Sequence, residues 1–106
     1  MRLFRKRPDE AEVSVAVSAA VGQPVAYNHL QYNSGALTGT VDVRDAAGFD
    51  AALRAAYETL AELLGDDVER VVFYLSGSTP DAQPVTPAAL GLPVPPSGHD
   101  LAGKYR

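Results

Sequence analysis

The sequence contains no cysteine, so it forms no disulfide bond and offers no thiolate metal ligand. Its two histidines, His29 and His99, lie seventy positions apart, and neither has a neighbour at a spacing typical of metal ligands. No serine lies within the Gly-x-Ser-x-Gly motif of a nucleophile elbow. These absences predict that the chain has no catalytic residue, no bound metal and no cofactor.

Long apolar runs are also missing. No segment approaches the ~20 apolar residues that a transmembrane helix needs. A signal peptide is not expected either, because Asp9, Glu10 and Glu12 stand where its unbroken apolar region is required. We therefore expect a cytoplasmic protein.

Basic residues are few beyond the beginning of the chain. Four of the nine precede Pro8, namely Arg2, Arg5, Lys6 and Arg7. The remainder carries five basic and thirteen acidic residues, a formal charge of −8, which argues against nucleic-acid binding. The four basic residues could bind an anionic membrane surface at about 1 kcal/mol each. A disordered basic terminus over residues 1–11 is the interpretation we favour.

The strongest pattern is an amphipathic helix from Asp45 to Gly65. Asp45 is suited to cap its first turn, and Gly65 is suited to the left-handed conformation that ends a helix. Charged residues recur every four positions on the side expected to face water. Apolar residues follow at spacings of three and four on the other side, at Phe49, Ala52, Leu53, Ala56, Leu60, Leu63 and Leu64.

Four segments have the pattern of β-strands. Residues 12–19 place valine at every second position and predict a first strand. Residues 25–32 are less regular and predict an edge strand, and the turn residues 33–35 join them to a clear strand over 37–43 in a hairpin. The apolar run at residues 70–76 predicts a central strand that is covered on both faces.

The last thirty residues hold six of the eight prolines, which is incompatible with regular strands. One short helix is predicted here, with Thr86 as its cap, Pro87 in its first turn and Gly91 at its end. The loop at residues 76–81 follows a strand, as phosphate-binding loops do, but it lacks their glycine-and-lysine pattern. We interpret it as an ordinary loop.

Together these elements predict an α+β fold in the order β-β-β-α-β. It is a two-layer sandwich, in which a mixed sheet of about four strands carries one long helix on one face. The predicted organisation is a basic terminus (1–11), a core domain (12–76) and a Pro-rich C-terminal segment (77–106) that is either packed on the core or flexible. One helix covers one face of such a sheet, so the C-terminal segment or a second copy of the chain should cover the other.

A recognition surface is predicted between residues 26 and 35, where Tyr, Asn, His, Gln and Ser are concentrated. Tyrosine provides a large contact area with few rotatable bonds, and the polar residues form adaptable hydrogen bonds. The alternative interpretation is an edge strand whose polar side faces water. The predicted partner-binding residues are Tyr27, Asn28, His29, Gln31 and Tyr32.

The leading hypothesis is therefore a small, non-enzymatic protein–protein interaction or regulatory module that forms homo-oligomers through its sheet. The alternative is a small-molecule-binding domain or simple enzyme. Its pocket would lie between the sheet and the C-terminal segment, where Tyr74, Tyr32 and His29 would converge. The protein partner and the process that it serves are not predicted by the sequence.

Overall fold

A mixed four-stranded sheet packed against helices forms the architecture of the chain, in a computed structural model that describes residues 10–21, 30–81 and 83–105. The strand order is β1-β2-β3-β4; β2 and β3 are parallel, and the outer pairs are antiparallel. The predicted α+β fold with a mixed four-stranded sheet is confirmed. The elements in chain order are α1 (Glu10–Ala20), β1 (Gln31–Asn33), β2 (Ala36–Asp42), α2 (Ala46–Leu64), a 3-10 helix (Gly65–Arg70), β3 (Val72–Ser78), β4 (Pro84–Val85), a second 3-10 helix (Pro87–Leu90) and α3 (Gly98–Tyr105).

Helix α2 begins and ends where its sequence predicts. An Asp45 carboxylate oxygen accepts a hydrogen bond from the Gly48 N–H at 2.8 Å, and Gly65 ends the helix with a positive φ of 62°. Phe49, Leu53 and Leu60 are fully buried against the sheet. Each such side chain contributes about 1.5–3 kcal/mol relative to its exposed state, so this apolar stripe anchors the helix to the sheet.

The prediction of a first strand over residues 12–19 is wrong, because these residues belong to helix α1. Val13 and Val17, one helical turn apart, are fully buried, whereas Val15 is 54% exposed. The hydroxyl of Ser18 bonds to the Ser14 carbonyl oxygen and is thereby satisfied inside the helix. Packing of the Val13 and Val17 side chains against the core therefore outweighs the β-propensity of valine. The element order begins with a helix rather than with a strand.

The predicted hairpin is present, although its first strand is described only from its end. Of the predicted strand over 25–32, Gln31 and Tyr32 lie in β1, at the sheet edge, and residues 25–29 lie outside the described residues. Ser34 and Gly35 connect β1 to β2 with φ values of 53° and 79°. Two consecutive positive φ angles are typical of the tight hairpin turn whose twist matches that of the flanking strands.

The two faces of the sheet differ sharply. Leu37 and Val41 of β2 and Phe73 and Leu75 of β3 are buried beneath the helices. The alternate residues of both strands lie on the opposite face, where Tyr74 is 54% exposed. Within a single chain the described residues cover one face of the strand over 70–76, so the cover by a second copy predicted for its other face stays a prediction. Although the run is apolar throughout, its residues alternate between the two faces of the sheet as in an ordinary strand, with Val72 and Tyr74 on the outer face.

The C-terminal segment is attached to the core. The predicted short helix forms at Pro87–Leu90 and ends at Gly91 in the left-handed conformation. The Pro96 carbonyl accepts a hydrogen bond from the Phe73 N–H at 2.9 Å, and Leu101 of α3 is fully buried in the core. The last thirty residues thus contribute to the enclosure of β3.

Helix α3 begins with a capping box that the sequence prediction missed. The Ser97 hydroxyl accepts a hydrogen bond from the Asp100 N–H, and the Asp100 carboxylate accepts one from the Ser97 N–H. Ser-x-x-Asp is the signal that could have found this helix. It is preceded by three closely spaced prolines, which favoured the prediction of an irregular segment.

Candidate functional site

The candidate site is the outer face of β1, β2 and β3, which we call the open sheet face. The strand register places Thr38 of β2 beside both Gln31 of β1 and Tyr74 of β3, and Thr40 beside Ser76. The face consists of Gln31, Asn33, Ala36, Thr38, Thr40, Asp42, Val72, Tyr74, Ser76 and Ser78. Six of these ten are exposed and four are half-buried, so the described part of the chain leaves this face accessible.

The open sheet face is nearly uncharged. Its one ionisable side chain at neutral pH is the Asp42 carboxylate, at the end of β2. Its other polar side chains are hydroxyls and carboxamides, which accept and donate hydrogen bonds. From Pro8 onward the chain is strongly acidic, with thirteen acidic and five basic residues, of which Asp42 alone lies on this face. The face is therefore electrostatically distinct from the body that carries it.

Tyr74 is the largest side chain of this face. It lies on β3, an inner strand of the sheet, and its neighbours in β2 and β3 on this face are smaller threonine, serine and valine residues. Over half of its surface is exposed, compared with complete burial of Phe73 beside it. An exposed tyrosine that is surrounded by smaller side chains is the kind of residue that anchors protein interfaces.

Other parts of the chain flank both sides of the three strands that form the open sheet face. On the outer side of β1, the Tyr32 N–H donates to the Ser14 hydroxyl at 2.9 Å, and the Ser34 N–H donates to the Glu10 carboxylate. Along the far side of β3, β4 pairs with Gly77 and Ser78, and Ser97 forms a bridge to Val72. Protected edges resist the addition of a strand from another molecule.

The structure separates the predicted partner-binding residues that it describes. Gln31 lies on the open sheet face, whereas Tyr32 pairs with buried Leu37 on the helix-covered face, where it is half-buried. The other three, Tyr27, Asn28 and His29, lie outside the described residues. A one-residue step along a strand reverses the face, which is why one segment cannot supply a single surface.

The predicted convergence of Tyr74 and Tyr32 on one pocket is wrong, because these two side chains lie on opposite faces of the sheet; His29, the third predicted group, lies outside the described residues. The structure instead has a cleft of about 560 Å³ where β2 and β3 reach their carboxyl ends. Small side chains of α2 and the end of α1 form much of its wall, together with residues that follow both strands. The lining includes Ala20, Val21, Val43, Ala51, Ala55 and Ser78.

Two titratable side chains with shifted pKa values hold α3 in place. Burial, followed by the hydrogen bond that its hydroxyl donates to Asp50, raises the pKa of Tyr105 well above its usual range. The backbone and hydroxyl hydrogen bonds from Ser97 lower the pKa of Asp100. Both groups are engaged in the attachment or capping of a helix.

Among residues 10–21, 30–81 and 83–105, no cluster of three or more His, Asp or Glu side chains has the geometry of a metal site.

The spacing Gly98-x-x-x-x-Gly103-Lys104 matches that of a phosphate-binding loop, although the sequence analysis predicted no such loop. Tyr105 stands where that motif requires Ser or Thr, and residues 98–105 form helix α3. Gly98 packs against the Val68 carbonyl. Because a helix engages its own amide groups, this segment cannot form the amide cradle of a phosphate-binding loop.

No helix within the described ranges is long and apolar enough to cross a membrane. The predicted membrane contact stays a prediction, because its residues lie outside those ranges: Arg2, Arg5, Lys6 and Arg7.

Compared with protein-family models, with curated proteins and with solved structures, the chain matches none.

Proposed function

We propose that this chain is a non-enzymatic protein–protein interaction module that binds through its open sheet face. The observation that carries the proposal is the composition of this face, which is uncharged along most of its length and exposes Tyr74. Interface cores are depleted in charged residues and enriched in tyrosine. The acidic remainder of the surface is a poorer candidate, because each carboxylate brought into an interface loses its hydration.

The chemistry of the open sheet face suits reversible recognition. Tyr74 offers an aromatic ring for apolar contact, and its hydroxyl remains available at the rim. Thr38 and Thr40 beside it, with Gln31 on the next strand, offer hydrogen-bonding groups that adjust to a partner. Truncation of one central tyrosine in such an interface typically costs about 2 kcal/mol or more of binding free energy.

The experiment compares two arginine substitutions at equally exposed apolar positions. Tyr74 and Val15 are both 54% exposed, but Val15 lies on α1, away from the open sheet face. Immobilised full-length chain carrying Tyr74→Arg should lose the protein partners that the unmodified chain captures, whereas Val15→Arg should retain them. Circular dichroism would verify that both variants are folded. Equal capture by all three chains would refute the proposal.

A second candidate function, small-molecule binding, is favoured by the cleft of about 560 Å³. Its volume is within the ~300–1,000 Å³ range of ligand pockets. It lies outside the carboxyl ends of parallel strands, the usual ligand position in such sheets. Its lining is mostly alanine and valine, and the charges of Asp42 and Arg44 cancel, which favours an uncharged apolar ligand.

The neutral fluorescent probe N-phenyl-1-naphthylamine tests this second function. Binding in the cleft should increase probe fluorescence, and Ala51→Leu should abolish the increase by filling the space. Ala47→Leu is the matched control, because Ala47 is exposed on the same helix and does not line the cleft. Identical fluorescence with both variants would exclude binding at this position.

A further inference from the structure

We infer that the partner of the open sheet face is a second copy of this chain, which docks face to face. The inference rests on the proposed function and specifies its partner. It makes the protein a homodimer with a two-fold axis through the paired sheets. Three properties of the molecule lead to it, namely the distribution of charge, the chemistry of the polar groups and the state of the sheet edges, and the size of the face limits its strength.

Charge limits where two copies can meet. From Pro8 onward each copy carries a formal charge of −8, so most ways of bringing two copies together place carboxylates near carboxylates. At neutral pH the open sheet face has no charged side chain except Asp42, at the end of β2. Contact through this face therefore avoids most of the like-charge repulsion between copies.

The polar groups of the face are complementary to themselves. A two-fold dimer places the same patch of each copy against the other, so a patch of like charges opposes itself. Hydroxyls and carboxamides both donate and accept hydrogen bonds, and a face built from them pairs with its own copy. Thr38, Thr40, Ser76, Gln31 and Asn33 are all of this kind.

The state of the two edges argues against the alternative dimer in which two sheets join side by side. The Tyr32 N–H, on the outer side of β1, already donates a hydrogen bond to the Ser14 hydroxyl, and the Ser34 N–H donates one to the Glu10 carboxylate. On the other side, β4 begins with Pro84, which has no N–H to donate. Face-to-face contact remains as the sheet-mediated route.

The size of the face sets the strength of the dimer. β2 and β3 have seven residues each and β1 has three, so at a rise of ~3.3 Å per residue and a strand spacing of ~4.8 Å the face covers roughly 270 Å². Stable complexes bury ~800 Å² on each partner. We therefore expect a weak dimer that exchanges with free monomer rather than a permanent one.

Sedimentation equilibrium of the full chain over a hundredfold concentration range tests the inference. The unmodified chain should change from monomer to dimer as its concentration rises, and added salt should strengthen the dimer by screening the acidic bodies. Tyr74→Arg places one positive charge per copy at the centre of the paired faces and should leave the chain monomeric throughout. Val15→Arg should dimerise like the unmodified chain. Thr38→Arg, beside Tyr74, provides a second test if Tyr74→Arg fails to fold.

The outcomes separate the inference from the function on which it rests. A chain that is monomeric at every concentration, yet captures another protein in a Tyr74-dependent way, overturns the homodimer and preserves the interaction function. A dimer that survives Tyr74→Arg and Thr38→Arg places the self-contact elsewhere and overturns the homodimer through this face, and the capture experiment then decides the interaction function separately. Loss of the dimer in those two variants, with its retention in Val15→Arg, supports both.

Discussion

Replacing Gly98 by alanine should strongly destabilise the protein, because Gly98 marks the closest approach of α3 to the rest of the chain. A Cβ atom on Gly98 would lie 1.7 Å from the Val68 carbonyl oxygen and 2.6 Å from its carbonyl carbon. Both are backbone atoms of the 3-10 helix after α2, so no side-chain rotation can make room. Helix α3 would have to move away by more than an ångström.

That movement affects three contacts. The Gly98 N–H donates to the Val71 carbonyl at 2.8 Å, the Pro96 carbonyl accepts from the Phe73 N–H at 2.9 Å, and Leu101 is fully buried. Overpacking alone costs about 1–3 kcal/mol, and each weakened hydrogen bond about 1 kcal/mol. We expect Gly98→Ala to lower the free energy of unfolding by about 3 kcal/mol. For a domain of this size that lowers Tm by roughly 12–24 °C.

Gly103→Ala is the matched control in the same helix. No atom lies within 4 Å of the position of its Cβ, so alanine fits without strain and lowers the entropy of the unfolded chain. Its expected effect is a gain of about 0.5–1 kcal/mol. Urea denaturation followed by circular dichroism measures both variants. Similar unfolding midpoints for the two variants would refute the packing argument, since the substitution is identical and only the surroundings differ.

The other predictions concern the hydrogen bonds of α2 and α3. Tyr57→Phe should stabilise the protein by about 1 kcal/mol, because the buried Tyr57 hydroxyl has no hydrogen-bond partner among the described residues. Tyr105→Phe should instead destabilise it by removing the bond to Asp50, so thermal melts of the two variants should shift in opposite directions. The raised pKa of Tyr105 stabilises the fold fully below about pH 10, the pKa of an unfolded tyrosine, and this stabilisation is lost as the pH rises further. Urea titrations above pH 10 should therefore show a steeper loss of stability in the unmodified chain than in Tyr105→Phe, and parallel losses would contradict the assignment. The lowered pKa of Asp100 stabilises the fold above pH 3.8, the pKa of the unfolded carboxyl, and this stabilisation is lost as the pH falls below that value. Ser97→Ala should therefore be less stable at neutral pH, and its Tm should fall less than that of the unmodified chain in melts at descending pH.

The elements that the sequence predicts correctly are those whose own residues determine them. Helix α2 has a cap, a terminator and an apolar stripe within one segment, and the turn at Ser34 and Gly35 needs no distant contact to form. Local signals of this kind are sufficient because each agrees with the others. The mixed sheet follows from them, since a helix that links two strands makes those strands parallel neighbours.

Helix α1 shows where local patterns fail. Its alternating valines fit the pattern of a strand, but Val13 and Val17, four residues apart, also fit one face of a helix. Which of the two structures forms depends on whether these two side chains can pack into a core assembled from distant segments. Host context routinely reverses the preference of valine in this way. Helix α3 differs in kind, since its capping box was visible in the sequence. Its attachment to the core depends on long-range contacts, such as that between Tyr105 and Asp50, which no short pattern contains.

The candidate site required the strand register. Residues 26–35 were predicted as the recognition surface by composition, yet Gln31 and Tyr32 lie on opposite faces, and Tyr74 comes from a strand forty residues away. Composition identifies which residue types suit an interface, whereas the assignment of neighbours to one face depends on pairing. The sequence could not show that Thr38 would lie between Gln31 and Tyr74.

The polar character of the open sheet face changes the physical basis of the predicted association. The sequence predicted a partner because an apolar face would need cover, but Thr38, Thr40 and Ser76 remain hydrated without cost in a single chain. The described core is enclosed by α1, α2 and the C-terminal residues Val85 and Leu101. Folding of one copy therefore does not depend on a second, and the dimer that we propose would be a separate, weaker equilibrium. We expect the fraction of dimer to follow the concentration of the protein, because the monomer is already folded.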